Sequence, residues 1–284
     1  MNIIPCPLCP RRCPDRSAGF CSETDFTHAH VAKTMLHRWE EPCISGERGT
    51  GAVFFAGCNL RCLFCQNYKI SQARPLPGES VDAARLAEIF WFLEGQGAEN
   101  ISLISPSHVL PVAREAMRLA KDQGFPLQFV WNSNGYETAQ ALQSLEGLVD
   151  FYLPDFKYED NCVALAYSGA VAYSKHAAAA IGEMRRQGES CGARVLIRHL
   201  VLPGGRKDSM RVLDWIAANA PGAEISLMAQ YTPMHKAQQG EIHALGRKLT
   251  GFEYNSVAQY ARTLGLQGYF QGRDAATAKY TPGF

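Results

Sequence analysis

Three cysteines follow a short apolar run in the stretch AVFFAGCNLRCLFC, and they are Cys58, Cys62 and Cys65. Their spacing is C-x3-C-x2-C. A structural zinc site usually takes four ligands, and three thiols in one loop do not supply them. Thiolates also hold iron–sulfur clusters. In a four-iron cubane, three protein thiolates leave one iron free to bind a small bidentate molecule, so the triplet predicts a catalytic cluster rather than a closed structural site.

A second set of cysteines lies near the N-terminus and consists of Cys6, Cys9, Cys13 and Cys21, spaced C-x2-C-x3-C-x7-C. Residues 1 to 50 contain few large apolar side chains, so a metal is expected to hold this segment together. Four thiols complete the tetrahedral shell of a structural zinc. They also suit an auxiliary iron–sulfur cluster. The sequence predicts a metal here and leaves both alternatives open.

The composition restricts the compartment and the partners. The net charge is +1 and the pI is about 7.6, which favours neither nucleic acid nor an anionic membrane as a partner. No apolar run approaches the roughly 20 residues that a membrane span needs. The stretch MNIIPCPLCPRRC lacks the apolar core of a secretory signal, so we expect a cytoplasmic protein. Thiols are reduced in the cytosol, where clustered cysteines are better interpreted as metal ligands than as disulfides.

After Gly51 short apolar runs alternate with helical patterns. The strands are predicted at 52–56, 100–105, 127–132, 149–153, 194–200 and 224–228. The helices are predicted near 82–95, 109–122, 137–146, 160–187, 207–219 and 253–264. Continuous β-branched and aromatic runs indicate parallel strands with both faces buried. We therefore predict an α/β fold, a partial (β/α)6 TIM-like barrel, with a small Cys-rich N-terminal extension. The domains are a metal-binding segment over 1–50 and the core over 51–284.

Each predicted strand is followed by a distinctive polar sequence. In chain order these are GCNLRC, PSH, SNGYE, PDFK, PGG and QYTP. In folds of this kind the chemistry gathers beyond the carboxyl ends of the strands. The sequence therefore predicts a site at this end of the barrel, with the cysteine triplet at its first strand.

The triplet with its flanking residues resembles the radical S-adenosylmethionine (SAM) superfamily. Gly57 precedes the first cysteine, Asn59 follows it, and Phe64 precedes the third. These features are similar to the branch that contains glycyl-radical-enzyme activases such as pyruvate formate-lyase activating enzyme. The resemblance implies a 4Fe–4S cluster on the triplet, with SAM bound at the open iron. It also implies a reducing partner such as flavodoxin or ferredoxin.

The resemblance implies a contact to the methionine amino group after the second strand, where the family often has Gly-Gly-Glu. This chain has Ser105 and Ser107 there instead, without a glycine pair or an acid. Hydroxyl and carbonyl oxygens are acceptors for an ammonium and can replace the missing contacts. For His108 two interpretations stay open: a cavity-facing proton donor or substrate contact, and a solvent-accessible residue at a helix start.

Further SAM contacts are implied after the later strands. Asn132 and Asn134 match a position that contacts the ribose or carboxylate, although both residues are also typical of turns. Asp155 and Lys157 resemble the Asp-x-Lys element of the activases, with a surface ion pair as the alternative. Arg198 lies in an apolar strand, where an arginine needs a partner. The resemblance assigns it to the SAM carboxylate.

These observations predict an enzyme that reductively cleaves SAM and abstracts a hydrogen atom. The catalytic residues remain unassigned. The first substrate class is a glycine in a partner glycyl-radical enzyme, and a small molecule or peptide is the other. A different class of protein, a non-catalytic zinc-binding interaction module on a degenerate barrel, is the alternative.

Overall fold

The computed structural model describes residues 5–16, 19–23, 25–240 and 242–272. In these residues a nine-stranded sheet runs in the order β3-β1-β2-β4-β5-β6-β7-β8-β9. The strands are β1 Ala29–His37, β2 Thr50–Phe55, β3 Glu79–Val81, β4 Ile101–Ile104, β5 Phe129–Ser133, β6 Phe151–Pro154, β7 Arg194–Leu200, β8 Glu224–Met228 and β9 Gln267–Phe270. The α-helices are α1 Pro42–Ser45, α2 Tyr68–Ser71, α3 Ala83–Gly95, α4 Leu110–Asp122, α5 Ala139–Gln143, α6 Asn161–Ser168, α7 Tyr173–Cys191, α8 Arg206–Asn219 and α9 Gly251–Thr263. Three short 3-10 turns complete these elements, at Pro106–Val109, His235–Gln239 and His243–Gly246.

The partial barrel is confirmed. Strands β2, β4, β5, β6, β7 and β8 pair in parallel, and each corresponds to a predicted strand. A seventh parallel strand, β9, pairs with β8 beyond the last predicted one. In the described residues β3 and β9 lie at opposite edges of the sheet, so the barrel is open.

Strand β1 is the main element that the sequence analysis did not predict. It lies inside the segment assigned to metal binding and pairs antiparallel with both β2 and β3. The predicted helix over 160–187 is also wrong, because two helices occupy this range. Helix α6 ends at a left-handed Gly169 with φ of 62°, and Ala172 before α7 has φ of 50°.

The floor of the barrel is closed by the segment between β1 and β2. Ile44 on α1 packs against Val130, Phe151, Leu153 and Leu196 from three neighbouring strands. Its carbonyl oxygen accepts a 2.7 Å hydrogen bond from the side chain of buried Asn100. The helices α3 and α4 cover the opposite face of the sheet over a separate apolar cluster. The interior below the strand ends is therefore filled by protein, and the open space lies above it.

None of the helices in the described part of the chain is both long enough and apolar enough to span a membrane.

Candidate active site

A cavity of about 230 Å³ lies at the carboxyl ends of the parallel strands. All three cysteines of the triplet line it. Six of the predicted SAM contacts line it as well, namely Ser105, Asn132, Asn134, Asp155, Lys157 and Arg198. Gln230 and Tyr231, after the sixth predicted strand, are also on its wall. The fold thus brings together the polar residues that the sequence separates by more than a hundred positions.

The triplet loop is held by backbone contacts to two helices. The Gly57 amide donates to the Ile70 carbonyl on α2 at 2.9 Å, and the Arg61 amide donates to the Ser168 carbonyl on α6 at 3.0 Å. Gly57 has φ of 82°, and a Cβ there would lie 2.3 Å from the Cys21 carbonyl oxygen. Only glycine fits both the left-handed backbone and this close approach.

Hydrogen-bond donors contact two of the triplet sulfurs. The Leu60 amide lies 3.4 Å from Cys58 Sγ, and the Ser168 hydroxyl lies 3.0 Å from Cys62 Sγ. The Cys65 sulfur is 3.3 Å from the Ser71 hydroxyl. Hydrogen bonds to sulfur tune the potential of iron–sulfur centres, so this surrounding suits thiolate ligands.

Burial and mutual repulsion oppose ionisation of these thiols. Burial raises the pKa of Cys58 to about 12 and of Cys65 to about 11, and the neighbouring Cys62 adds to both shifts. A cationic metal would reverse this effect because it stabilises the thiolates directly. Among the residues that the structure describes, no three Cys, His, Asp or Glu side chains are grouped to hold one metal ion. In a multi-iron cluster each thiolate binds a different iron, and the three triplet thiols border one cavity.

Arg198 is the centre of a buried polar network on the cavity wall. Its guanidinium donates to Asp155 Oδ1 at 3.0 Å, to Glu40 Oε2 at 3.1 Å and to Asn132 Oδ1 at 2.6 Å. Only 13% of the Arg198 side chain is exposed. Burial alone would lower the pKa of Arg198, but the carboxylates of Asp155 and Glu40 outweigh it and raise the pKa.

Asp155 joins this network to Lys157, whose ammonium donates to Asp155 Oδ2. Burial would raise the pKa of Asp155, but Lys157 and Arg198 outweigh it and hold the pKa below its usual value. The pair is therefore buried in the cavity wall, and the alternative of a surface ion pair is wrong. Two cations and two carboxylates, those of Asp155 and Glu40, face one cavity.

Comparisons with known proteins agree with this architecture. No family model matches the sequence. A radical SAM methyltransferase from Sphaerobacter thermophilus superposes with a TM-score of 0.55 at 14% identity, over 82% of this chain and 70% of that one. This chain has the radical SAM fold. SuiB of Streptococcus suis, solved with S-adenosylmethionine bound, gives a TM-score of 0.50 at 13% identity, over 76% of this chain and 45% of that one.

A curated relative is similar in sequence as well. An uncharacterized protein of Methanocaldococcus jannaschii is 28% identical over an alignment of 273 positions that covers 92% of this chain and 75% of that protein. This sequence similarity extends over nearly the whole chain and is not confined to the loop that carries the cysteine triplet.

The two serines after β4, which were both predicted to contact SAM, lie in different environments. Ser105 lines the cavity and has a left-handed backbone with φ of 55°. Such a conformation is uncommon for a residue other than glycine and is often found at functional sites. Ser107 is buried and does not line the cavity.

Both interpretations of His108 are wrong. The side chain is 2% exposed, does not line the cavity, and its Nε2 lies 2.7 Å from the Ala56 carbonyl oxygen. Burial lowers the pKa of His108 to about 4, so the ring is neutral and Nε2 carries the donated proton. His108 thus supports the end of β2 just before the triplet.

The sequence analysis missed several cavity residues, among them His37, Trp39 and Glu40, which lie at the end of β1 or directly after it. The sequence signal for β1 was the apolar–polar–apolar order of Ala29, His30 and Val31 at its start, where Ala29 and Val31 are buried in the structure. No signal in the sequence indicated that Glu40 reaches Arg198, because that contact depends on how the segment crosses the barrel floor.

The N-terminal cysteines surround a much smaller space. Cys6, Cys9, Cys13 and Cys21 line a cavity of about 10 Å³. Burial raises the pKa of Cys9 to about 11. Arg11 connects this set to the triplet loop, because its Nε donates to the Asn59 carbonyl at 2.5 Å while its guanidinium lies 3.3 Å from the centre of the Phe20 ring.

Proposed function

We propose that this protein is a radical SAM enzyme. The observation that supports this most is that Cys58, Cys62 and Cys65 share one cavity with six of the seven residues predicted to contact SAM. The cavity lies at the carboxyl ends of the strands, where α/β enzymes place their chemistry. The radical SAM fold agrees with this proposal but is compatible with more than one activity.

In this proposal Cys58, Cys62 and Cys65 would hold a 4Fe–4S cluster and leave one iron available to SAM. Such a cluster would supply one electron to the sulfonium of SAM, whose bond from sulfur to the ribose carbon would break to give methionine and a 5′-deoxyadenosyl radical able to abstract a hydrogen atom. The protein contributes ligands, orientation and exclusion of water. The side-chain amide of Asn134 orients Cys58, the first cysteine of the triplet, because its Nδ2 lies 3.5 Å from Cys58 Sγ and 2.7 Å from Asn59 Oδ1.

We assign the remaining contacts to SAM by the charge of the side chains on the cavity wall. Arg198 and Lys157 are the cations of the cavity wall and would bind the SAM carboxylate. Asp155 is ionised between them and would accept from the ribose hydroxyls or the ammonium. Ser105 and Asn132 offer further oxygen acceptors on the same wall, whereas Ser107 would need a rearrangement to reach it.

We further propose a second metal on the N-terminal set Cys6, Cys9, Cys13 and Cys21. All four thiols border one small space, which supports a common ligand for them. Zinc and an auxiliary iron–sulfur cluster both remain candidates, and either requires the segment to rearrange around the metal, because no single-ion site is preformed in the described residues. A cytoplasmic location would keep these thiols reduced.

For the substrate that gives up the hydrogen atom, we propose only a chemical class. One class is a glycine of a partner glycyl-radical enzyme, and the other is a small molecule or peptide. Electrons would come from a flavodoxin or ferredoxin. The alternative of a non-catalytic zinc module is not favoured, because such a module gives no reason for a cavity lined by the triplet together with Arg198 and Asp155.

The test is anaerobic reconstitution with iron and sulfide, followed by dithionite and SAM. We expect about four irons on the triplet site and formation of 5′-deoxyadenosine. A fully loaded protein that binds SAM without cleaving it, or a colourless protein that takes up only zinc, would contradict the proposal.

A further inference from the structure

The end of helix α6 is bonded to the triplet loop on both sides of Cys62. The last carbonyl groups of an α-helix have no partner within the helix. Here the Ser168 carbonyl accepts from the Arg61 amide at 3.0 Å. The Tyr167 carbonyl accepts from the Leu63 amide at 2.9 Å. Because these two backbone bonds flank Cys62, they fix the helix end against this cysteine whichever side chain stands at position 168.

The Ser168 hydroxyl is the middle member of a buried chain of hydrogen bonds. Its Oγ lies 3.0 Å from Cys62 Sγ and 2.7 Å from the Tyr158 hydroxyl. Ser168 is fully buried and Tyr158 is only 1% exposed. The hydrogen bonds that the described residues offer to the sulfurs of Cys58 and Cys65 are longer, at 3.3 to 3.5 Å. Cys62 therefore has the closest donor of the three cysteines.

The number of protons fixes the direction of this chain once Cys62 binds a metal. A metal-bound cysteine has lost its proton, so its sulfur can only accept. A serine hydroxyl carries one proton, and Ser168 gives it to the sulfur. The Ser168 oxygen then accepts the proton of Tyr158. Since a hydroxyl that accepts a hydrogen bond becomes a stronger donor, Tyr158 acts on the Cys62 sulfur through Ser168.

We propose that Ser168 and Tyr158 raise the reduction potential of the cluster on the triplet and so make it easier to reduce. Reduction adds an electron and increases the negative charge on the sulfur ligands, so a hydrogen bond donated to sulfur stabilises the reduced state more than the oxidised one. The assignment rests on the proposed function, in which a protein donor has to reduce this cluster. It gives a role in that step to two residues outside the cavity wall predicted to bind SAM.

The test is an anaerobic redox titration of the reconstituted full-length protein, followed by electron paramagnetic resonance. The triplet cluster is recognised as the reduced-state signal that added SAM alters. At the potential where half of the wild-type cluster is reduced, Ser168→Ala should lower the ratio of reduced to oxidised cluster about fivefold, and Tyr158→Phe about twofold. Ser190→Ala and Tyr260→Phe remove hydroxyls with exposed hydrogen bonds on α7 and α9 and should leave the ratio unchanged.

The outcomes separate this assignment from the proposed function. Wild-type protein without a four-iron cluster on the triplet, or with a signal that SAM leaves unchanged, would refute both. A wild-type cluster that responds to SAM, with an unchanged or higher ratio in Ser168→Ala, would refute only the assignment. If Ser168→Ala does not retain its cluster, Tyr158→Phe decides, because it keeps the ring that packs against Tyr173. An unchanged ratio in a Tyr158→Phe protein with a full cluster is then the contradicting result.

Discussion

The two cysteine sets differ in the space that they border. The triplet opens onto about 230 Å³ lined by charged and amide side chains, whereas the N-terminal set encloses about 10 Å³. A single water needs roughly 10–15 Å³, so nothing larger than a water or an ion fits among the N-terminal thiols without movement. In the proposed assignment, a metal on the triplet would be able to exchange ligands, whereas a metal on the N-terminal set would stay enclosed.

The two sets are nevertheless in direct contact. Gly57 packs on the Cys21 carbonyl, and the Arg61 guanidinium donates to the Phe20 carbonyl at 2.5 Å. The guanidiniums of Arg11 and Arg61 lie over the Phe20 ring, 3.3 and 4.8 Å from its centre. The comparison therefore predicts that losing the open site stops chemistry, while losing the closed site mainly loosens the loop beside it.

Cys62→Ala should have the largest effect. Removing one of three thiolates leaves the cluster without a full ligand set, so we expect SAM cleavage to fall below detection while far-ultraviolet circular dichroism stays near wild type. Cys162→Ala, at an exposed position on α6, is the control and should retain full activity. Gross unfolding of Cys62→Ala would show that this thiol is structural.

Asp155→Asn should have the second-largest effect. It leaves the buried cations Arg198 and Lys157 without their shared carboxylate, so we expect the free energy of unfolding to fall by about 3 kcal/mol and SAM binding to weaken. Urea unfolding and equilibrium dialysis measure the two effects. Asp122→Asn, in an exposed pair on α4, should change the free energy by less than about 0.5 kcal/mol. Equal effects at both positions would contradict the buried network.

Cys9→Ala tests the enclosed set. We expect loss of one metal by elemental analysis and a thermal midpoint lower by about 5 °C, with SAM cleavage reduced but still measurable. Cys191→Ala, which is exposed, is the control. Complete loss of cleavage from a Cys9→Ala protein whose triplet still carries its cluster would show that the N-terminal metal takes part in the chemistry, and the contrast between the two sets would fail.

His199→Asn should give the smallest effect, and one that depends on pH. His199 is buried, its Nδ1 contacts the Phe156 carbonyl at 2.7 Å, and burial lowers its pKa below 6.5. Its contribution to stability is therefore complete above pH 6.5 and is lost as the pH falls. Between pH 6.5 and 5.5 the free energy of unfolding of wild type should fall more than that of His199→Asn, as measured by urea unfolding. Parallel losses in both proteins would contradict a buried neutral ring.

The sequence predicted the parallel strands well because their apolar runs are continuous, and β7 and β8 match at both ends. It also grouped the cysteine triplet with six of the seven predicted SAM contacts, since the carboxyl ends of parallel strands meet at one edge. It missed β1, whose lysine and threonine interrupt the alternation, and therefore Glu40. The Glu40–Arg198 contact joins positions 158 residues apart and is a property of the floor segment, not of any local pattern.

The central claim is that the triplet holds a four-iron cluster with one iron open to SAM. Mössbauer spectroscopy of protein reconstituted with iron-57 tests it most directly. With Cys6, Cys9, Cys13 and Cys21 replaced by alanine, so that only the triplet binds iron, one quarter of the iron should change its isomer shift when SAM is added. A spectrum that SAM leaves unchanged, or a protein that holds no cluster on the triplet, would contradict the account.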